Sequence, residues 1–431
     1  MVTIKTLLFF IILIILVTKF NSFYRNIYDD VFSVSEQYIK SFTKNNSIIL
    51  YLYVIVLFYL ASKASLFELA NGHYVSHIKQ MLSSIDNQND KYSQPKPYIN
   101  ELSIISVIIF SLVTSISGSG LGSEGVMIYL SIILINYLYF TCKKLFNLDN
   151  INTELLIYSG FAIGFDATFT SLISTIIFIF EKMFIYHSAI LYSYHLIVLL
   201  LIILFIHSLL KSRIPILNIG DIHFNYYSIS NLLYIVILSI IIGVICFMFF
   251  TSFMFLYNAV KRNKYKDFMV VIFGIILAFM IQHFGLFISG SGENVINDGF
   301  NAVINNNNSE KFNYKNVFGK LINCIISLGS GLPGGIIIPS MTIGTGLGSV
   351  YYNIVKNDYF KSMQNIIPMT MPIENIMYIG MVSFLSPMLG APITSAVVIN
   401  QISKQSFNTI PISLISSFIS YYTYKILYNS Q

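Results

Sequence analysis

Apolar runs long enough, or nearly long enough, to cross a bilayer recur along this chain, and glycine or proline interrupts several of them. Clear runs lie at 6–18, 47–61, 103–116, 127–140, 155–180, 188–210, 228–257, 268–288, 316–328 and 408–424. Lipid offers no hydrogen bonds, so a broken helix survives only where protein or a water-filled cavity covers the break. Short half-helices marked by glycine in matching halves of a chain point to a transporter's binding site. Composition supports a membrane setting. Hydrophobic residues make up 55% of the 431 positions and charged ones only 10%, where a soluble domain carries roughly 25%. At about 20 apolar residues per span, there is room for about ten membrane segments. Soluble enzymes, nucleic-acid binders, secreted disulfide scaffolds and disordered chains are excluded as primary readings.

The smaller counts agree. Cys142, Cys246 and Cys324 are widely spaced and lie in or beside apolar runs, which implies neither a disulfide framework nor a cysteine metal site. The net charge of +6 is scattered over short loops, with no basic tract for nucleic acid. Tryptophan is absent, so any interfacial aromatic belt draws on the 30 tyrosines. The run from Leu7 to Val17 is followed by Lys19, Phe20 and Asn21 rather than by a small-residue cleavage site, so it reads as a first membrane helix. Polar stretches at 19–46, 83–101, 143–153, 211–226, 258–267 and 301–314 read as connections.

Internal repetition is the strongest organising signal. Gly118-Ser119-Gly120-Leu121 recurs as Gly329-Ser330-Gly331-Leu332, each after one apolar run and before another. About fifty residues later, Ser171–Ile177 lines up with Ala391–Val397 at nearly the same offset. A glycine-marked break at Gly72 has a weaker counterpart at Gly290-Ser291-Gly292. Three correspondences in one order predict an all-α polytopic protein of two repeats, 1–215 and 216–431.

The breaks suggest a chemistry. Residues 118–125 read Gly-Ser-Gly-Leu-Gly-Ser-Glu-Gly and open an apolar helix. A helix beginning inside the membrane aims unpaired N–H groups and its positive dipole end at whatever precedes it, which makes an anion site. Gly331–Pro339 would supply a second site, and in inverted repeats the two converge. The glycines are also compatible with simple close packing of helices. Glu124 is an acid in an almost uncharged stretch. A carboxylate there competes with a bound anion and can change protonation state, which suits a gate and proton carrier. The alternative is a first-turn acid at the membrane surface.

These residues resemble the chloride-channel (CLC) family over nearly the whole chain, in the manner of a divergent prokaryotic-type member. Gly122-Ser123-Glu124-Gly125-Val126 is similar to the family's G-R-E-G-P motif, whose glutamate is the external gate. Gly335-Ile336-Ile337-Ile338-Pro339 resembles G-x-F-x-P, where two successive amides bind the anion. The resemblance therefore implies gating by Glu124 and anion binding by Ile336, Ile337 and Gly125. It also places the late tyrosine of the central site at Tyr428. The stretch 164–183 resembles the helix following the gate, and 380–401 its second-repeat counterpart. The resemblance implies inverted repeats of broken, tilted helices, a homodimer with one anion pathway per subunit, and no large cytoplasmic regulatory domains in a chain ending at 431. Its cargo is a small inorganic anion, chloride by family default. Protons are a second cargo in coupled members, and the lipid bilayer, in bacteria the inner membrane, is its setting. No cofactor is implied.

Several positions depart from the family pattern. His73 stands where the first motif, G-S-G-x-P, has its anion-coordinating serine. Ser123, Val126 and Ile337 replace the arginine, proline and phenylalanine of the other two motifs, and a backbone-amide site survives each change. Lys182, with Glu181 before it, falls where coupled members carry an internal proton-pathway glutamate, and the pair also fits an ordinary helix end. Channel and anion/proton antiporter both remain open, as do a fluoride-type exporter and a transport-inactive regulatory member. No enzymatic reading stands beside these. The glycine runs lack the Lys-Ser/Thr of a P-loop. His73 and His77 have ligand spacing but no acidic or cysteine partner nearby. Ser119 or Ser123 as a hydrolase nucleophile lacks a histidine in a matching motif.

Overall fold

A computed structural model describes residues 4–45, 47–67, 69–72, 74–87, 94–186, 217–224, 228–304, 312–357 and 361–430, with Val198 and Ile202. The described chain is helical apart from its connections and one isolated antiparallel bridge. The first half runs α1 (Ile4–Asn45), α2 (Ser47–Ser62), α3 (Tyr74–Asn87), α4 (Glu101–Ile116), α5 (Glu124–Phe146), α6 (Thr153–Phe169) and α7 (Leu172–Ile185). The second runs α8 (Ile229–Arg262), α9 (Lys266–Phe284), α10 (Glu293–Ile304), α11 (Tyr314–Gly329), α12 (Ile337–Val355), α13 (Lys361–Ile366), α14 (Ile373–Leu389), α15 (Pro392–Ile402) and α16 (Ile410–Asn429). Among the described residues five segments are long and apolar enough to cross a membrane, within α1, α2, α5, α8 and α9. Most of the rest are shorter, such as α14 with 17 residues and α15 with 11.

Two expectations change. Residues 19–46 are not a connection: α1 continues through them without a break as far as Asn45. Their polar side chains find partners inside the protein. Asn21 Nδ2 donates to Ser131 Oγ at 2.6 Å, and the Tyr24 hydroxyl pairs with Ser111 Oγ at 2.7 Å. Satisfied in this way, buried polar groups do not end a helix. The apolar run 155–180 is also two helices, because Thr170 adopts a left-handed conformation (φ 46°) that terminates α6. Apart from Val198 and Ile202, the run 188–210 lies outside the described residues, as does the expected repeat boundary near 215.

The order of elements repeats. Helix α4, a break, α5, α6 and α7 are matched by α11, a break, α12, α14 and α15. The left-handed Thr170 before α7 has its counterpart in Gly390 (φ 60°) before α15, and the two short helices pack on one another. Within each half, glycines four apart draw a helix pair together. A Cβ on Gly160 would sit 2.5 Å from Ile132 Cα, and one on Gly348 would sit 2.8 Å from Met377 Cα. Gly164 and Gly344 are as tightly opposed, to Ile128 and Gly380. Small residues at this spacing let backbones touch where lipid gives helices no hydrophobic reason to associate.

Candidate functional site

The glycine breaks meet. Gly122 N donates to Gly335 O at 2.8 Å and Gly335 N to Gly122 O at 2.6 Å, a reciprocal antiparallel crossing of the two unwound segments. Gly72 N donates to Gly331 O at 3.3 Å, and Gly290 N to Ser119 O at 2.7 Å. Glycine is required where backbone lies on backbone. A Cβ on Gly125 would fall 2.9 Å from Gly335 Cα, and one on Gly335 would fall 2.5 Å from Gly125 N. The starts of α3, α5, α10 and α12 are thereby gathered around one junction.

The first turns at this junction keep their donors. Helices such as α4, α6, α7, α8 and α11 have a side-chain cap, from Asn100, Asn152, Ser171, Ser228 and Asn313 respectively. At α5 and α12 the cap positions are Ser123 and Ile336, and neither makes a side-chain cap bond. Their leading N–H groups and positive dipole ends are left for a ligand. Asn323 of α11 fixes the approach. It accepts from Gly120 N at 2.9 Å and donates to Gly118 O at 3.1 Å and to Ile288 O at 2.8 Å. Three unwound carbonyl and amide groups from both halves are satisfied by one side chain.

Glu124 begins α5 within this frame. It is 4% exposed, and its Oε2 is buried without a hydrogen-bond partner. The carboxylate folds back over its own loop, occupying the position that a Gly122 side chain would take. Outward from it lie three charges whose field reaches it: Arg25, Glu293 and Asp29. Arg25 Nη1 donates to Thr168 O at 3.0 Å, while its Nη2 and Nε are 3.8 Å from Glu293 and 3.7 Å from Asp29. A buried carboxylate with one oxygen unpartnered, set at the start of a helix that has no side-chain cap, is a group that an anion can displace.

The other candidate residues divide. Gly125, Ile336 and Ile337 are at the crossing with Glu124. His73 lies outside the described residues. Tyr428 is not brought to the junction by its described contacts: it is 47% exposed, edge-on to Phe250 and stacked on Tyr424 along the α8–α16 contact. A tyrosine near a helix end completes the aromatic row of its own face, and sequence position alone does not tell that face from a pore-lining one. Glu181 and Lys182, on α7, reach the α14–α15 turn with their head groups. Glu181 accepts from Ile393 N (3.0 Å), Thr394 N (2.8 Å) and Thr394 Oγ1 (2.6 Å), capping α15. Lys182 Nζ donates to Leu389 O at 2.7 Å, closing the end of α14. Glu181→Ala is accordingly expected to lower the melting temperature of detergent-solubilised protein, at a cost of about 1–2 kcal/mol for lost charge-assisted caps. Glu181→Gln retains much of that loss, since a neutral amide oxygen is the weaker acceptor. Arg25, Glu293, Asn323 and the buried Lys320 were not anticipated. The signal for Lys320 was present, as a single charge inside the apolar run 316–328.

Buried backbone donors from two repeats, a carboxylate among them and helices that begin in the protein interior fit a polytopic membrane protein built to hold a small anion. The profile of the family described as Voltage gated chloride channel matches residues 65–425. The chain belongs to that family, whose activity is the movement of small inorganic anions across membranes. Solved structures share its fold. A CLC-type fluoride/proton antiporter superposes with a TM-score of 0.70 at 18% identity, covering 98% of this chain and 95% of that one. A slow cyanobacterial Cl-/H+ antiporter gives 0.72 at 17% identity, covering 99% and 96%. A eukaryotic CLC transporter gives 0.67 at 14%, covering 98% of this chain and 73% of that one. A search of curated proteins gives no significant match.

Proposed function

We propose that the protein exchanges a small inorganic anion, chloride in the first instance, for protons, with Glu124 as gate and proton carrier. The observation that carries this reading is the buried carboxylate of Glu124 at the crossing of the two breaks, with its Oε2 left without a hydrogen-bond partner. In the proposed cycle, the anion is held by the amides of Ile336 and Ile337 and by the first turn of α5 at Gly125. Ionised Glu124 occupies the same field and blocks the path. When the anion displaces it, the carboxylate swings clear, takes a proton, and returns the proton on the other side. Two of the structural neighbours are described as proton-coupled antiporters, one for chloride and one for fluoride, which supports coupling and makes fluoride the alternative cargo.

The division into repeats 1–215 and 216–431, a homodimer with one path per subunit, and residence in the inner membrane of a bacterial cell belong to the same proposal. Purified protein in liposomes tests it. Chloride or fluoride efflux driven by an anion gradient is expected to move protons uphill. Absence of flux for chloride, fluoride, nitrate and bromide would refute the transport reading, and anion flux without protons would refute exchange.

A further inference from the structure

Lys320 lies on α11, fully buried, and its ammonium group donates to the carbonyl oxygens of Ser289, at 3.2 Å, and Gly290. Both acceptors are neutral, and none of the described ion pairs includes it. Two carbonyl dipoles satisfy two of its three donors and leave a whole positive charge inside the protein. Such a charge is costly unless something negative shares its surroundings.

Its position says what that is. Gly290 is the residue whose amide bonds Ser119 of the first repeat's break. The next residue, Ser291, packs on Gly122, with its Cβ 3.0 Å from the point a Gly122 Cβ would take, and the Glu124 carboxylate covers the same point. The segment 289–291 thus links the two groups: Lys320 holds its carbonyls, the Glu124 carboxylate lies at the point of Gly122 on which Ser291 packs, and the charge of Glu124 reaches Lys320 after that of the nearer Cys324 thiol. The lysine is also held in place. On the same face of α11, Asn323 and Cys324 bond Gly118, Gly120 and Ile288, so this helix cannot shift without opening both breaks.

We propose that Lys320 is the fixed counter-charge of the pathway, a specificity-determining residue compensated alternately by the Glu124 carboxylate and by the transported anion. This rests on the anion-transport reading above. When the carboxylate leaves, an anion replaces it at nearly constant local charge, and cations meet a buried positive centre. Each exchange is then one negative charge for another, which is what lets a low-dielectric junction change occupants without passing through a bare lysine.

The test is calorimetric binding of sodium chloride and sodium fluoride to purified protein carrying Glu124→Gln, where no carboxylate competes. Lys320→Gln on that background keeps an amide donor for the two carbonyls and removes the charge. Affinity is expected to fall about tenfold or more, equivalent to about 1.4 kcal/mol. Lys320→Arg is expected to stay within about threefold, a difference of roughly half that energy. Lys320→Met removes the charge with a side chain of similar length and leaves the bonds of Asn323 and Cys324 in place, and is expected to reproduce the loss, so the result does not depend on one variant folding. Unchanged affinity in Lys320→Gln or in Lys320→Met would reduce the lysine to a backbone cap. Failure of Glu124→Gln alone to bind either anion would instead overturn the anion-site reading, and the counter-charge with it.

Discussion

Gly335→Ala is expected to reduce anion flux by about tenfold or more, from a change of one methyl group. The reason is that the new Cβ would meet backbone on every side. It would lie 2.5 Å from Gly125 N, 3.1 Å from Glu124 N and 3.1 Å from Gly122 O. A side chain can rotate away from such a contact, but these atoms belong to the first turn of α5 and to the reciprocal bonds of the crossing. Overpacking in a rigid setting costs about 1–3 kcal/mol. Here the strain is relieved only by parting the two breaks, which moves the amides of Ile336 and Ile337 relative to Glu124. Gly274→Ala is the matched control. That glycine also lies in a helix contact, but its Cβ would stand 3.2 Å from Ile55 Cα, so the α2–α9 pair gives by only a few tenths of an ångström while the helix gains about 1 kcal/mol of propensity. Stopped-flow efflux from liposomes reads both. Wild-type flux in Gly335→Ala would mean that the crossing does not shape the path.

Glu124→Gln is expected to abolish proton movement while anion flux continues. Glutamine fills the same volume and keeps a hydrogen-bonding head, so packing at the first turn of α5 is preserved. It removes the negative charge that the two helix N-termini stabilise, by about 0.5–2 kcal/mol in partly buried settings, and with it the competitor for the anion's position. It also removes the only carboxylate buried at the crossing itself among the described residues. Proton uptake measured beside chloride efflux distinguishes the outcomes. Continued uphill proton movement would place the carrier elsewhere.

Much of this junction was legible in the sequence, because backbone geometry leaves marks there. A membrane-depth helix start needs glycine, so 118–125 and 331–335 announced themselves, and the turn-and-helix starts at 171 and 391 followed at matching spacing. Glu124 was legible because charge is scarce. Partnership was not. Residues 19–45 look like a loop until Ser131, Ser111 and Thr168 are seen to satisfy Asn21, Tyr24 and Arg25. Glu181 and Lys182 fit a proton path or an ordinary helix end from sequence, and only the fold shows that the turn at 389–394 takes up both their head groups. Tyr428 carries the right functional group on a face that other aromatics cover. In each case the residue type was informative, and the deciding fact was which distant segment lay against it.

The anion is expected to be held by backbone amides at the crossing of the two glycine breaks. Bromide scatters anomalously and is a halide like chloride, so crystals of the Glu124→Gln protein grown in bromide locate the site directly. An anomalous peak within hydrogen-bond distance of the Ile336 and Ile337 amides, beside residue 124, is the predicted result. A transport-competent protein whose bromide peaks lie elsewhere, with none at those amides, would contradict it.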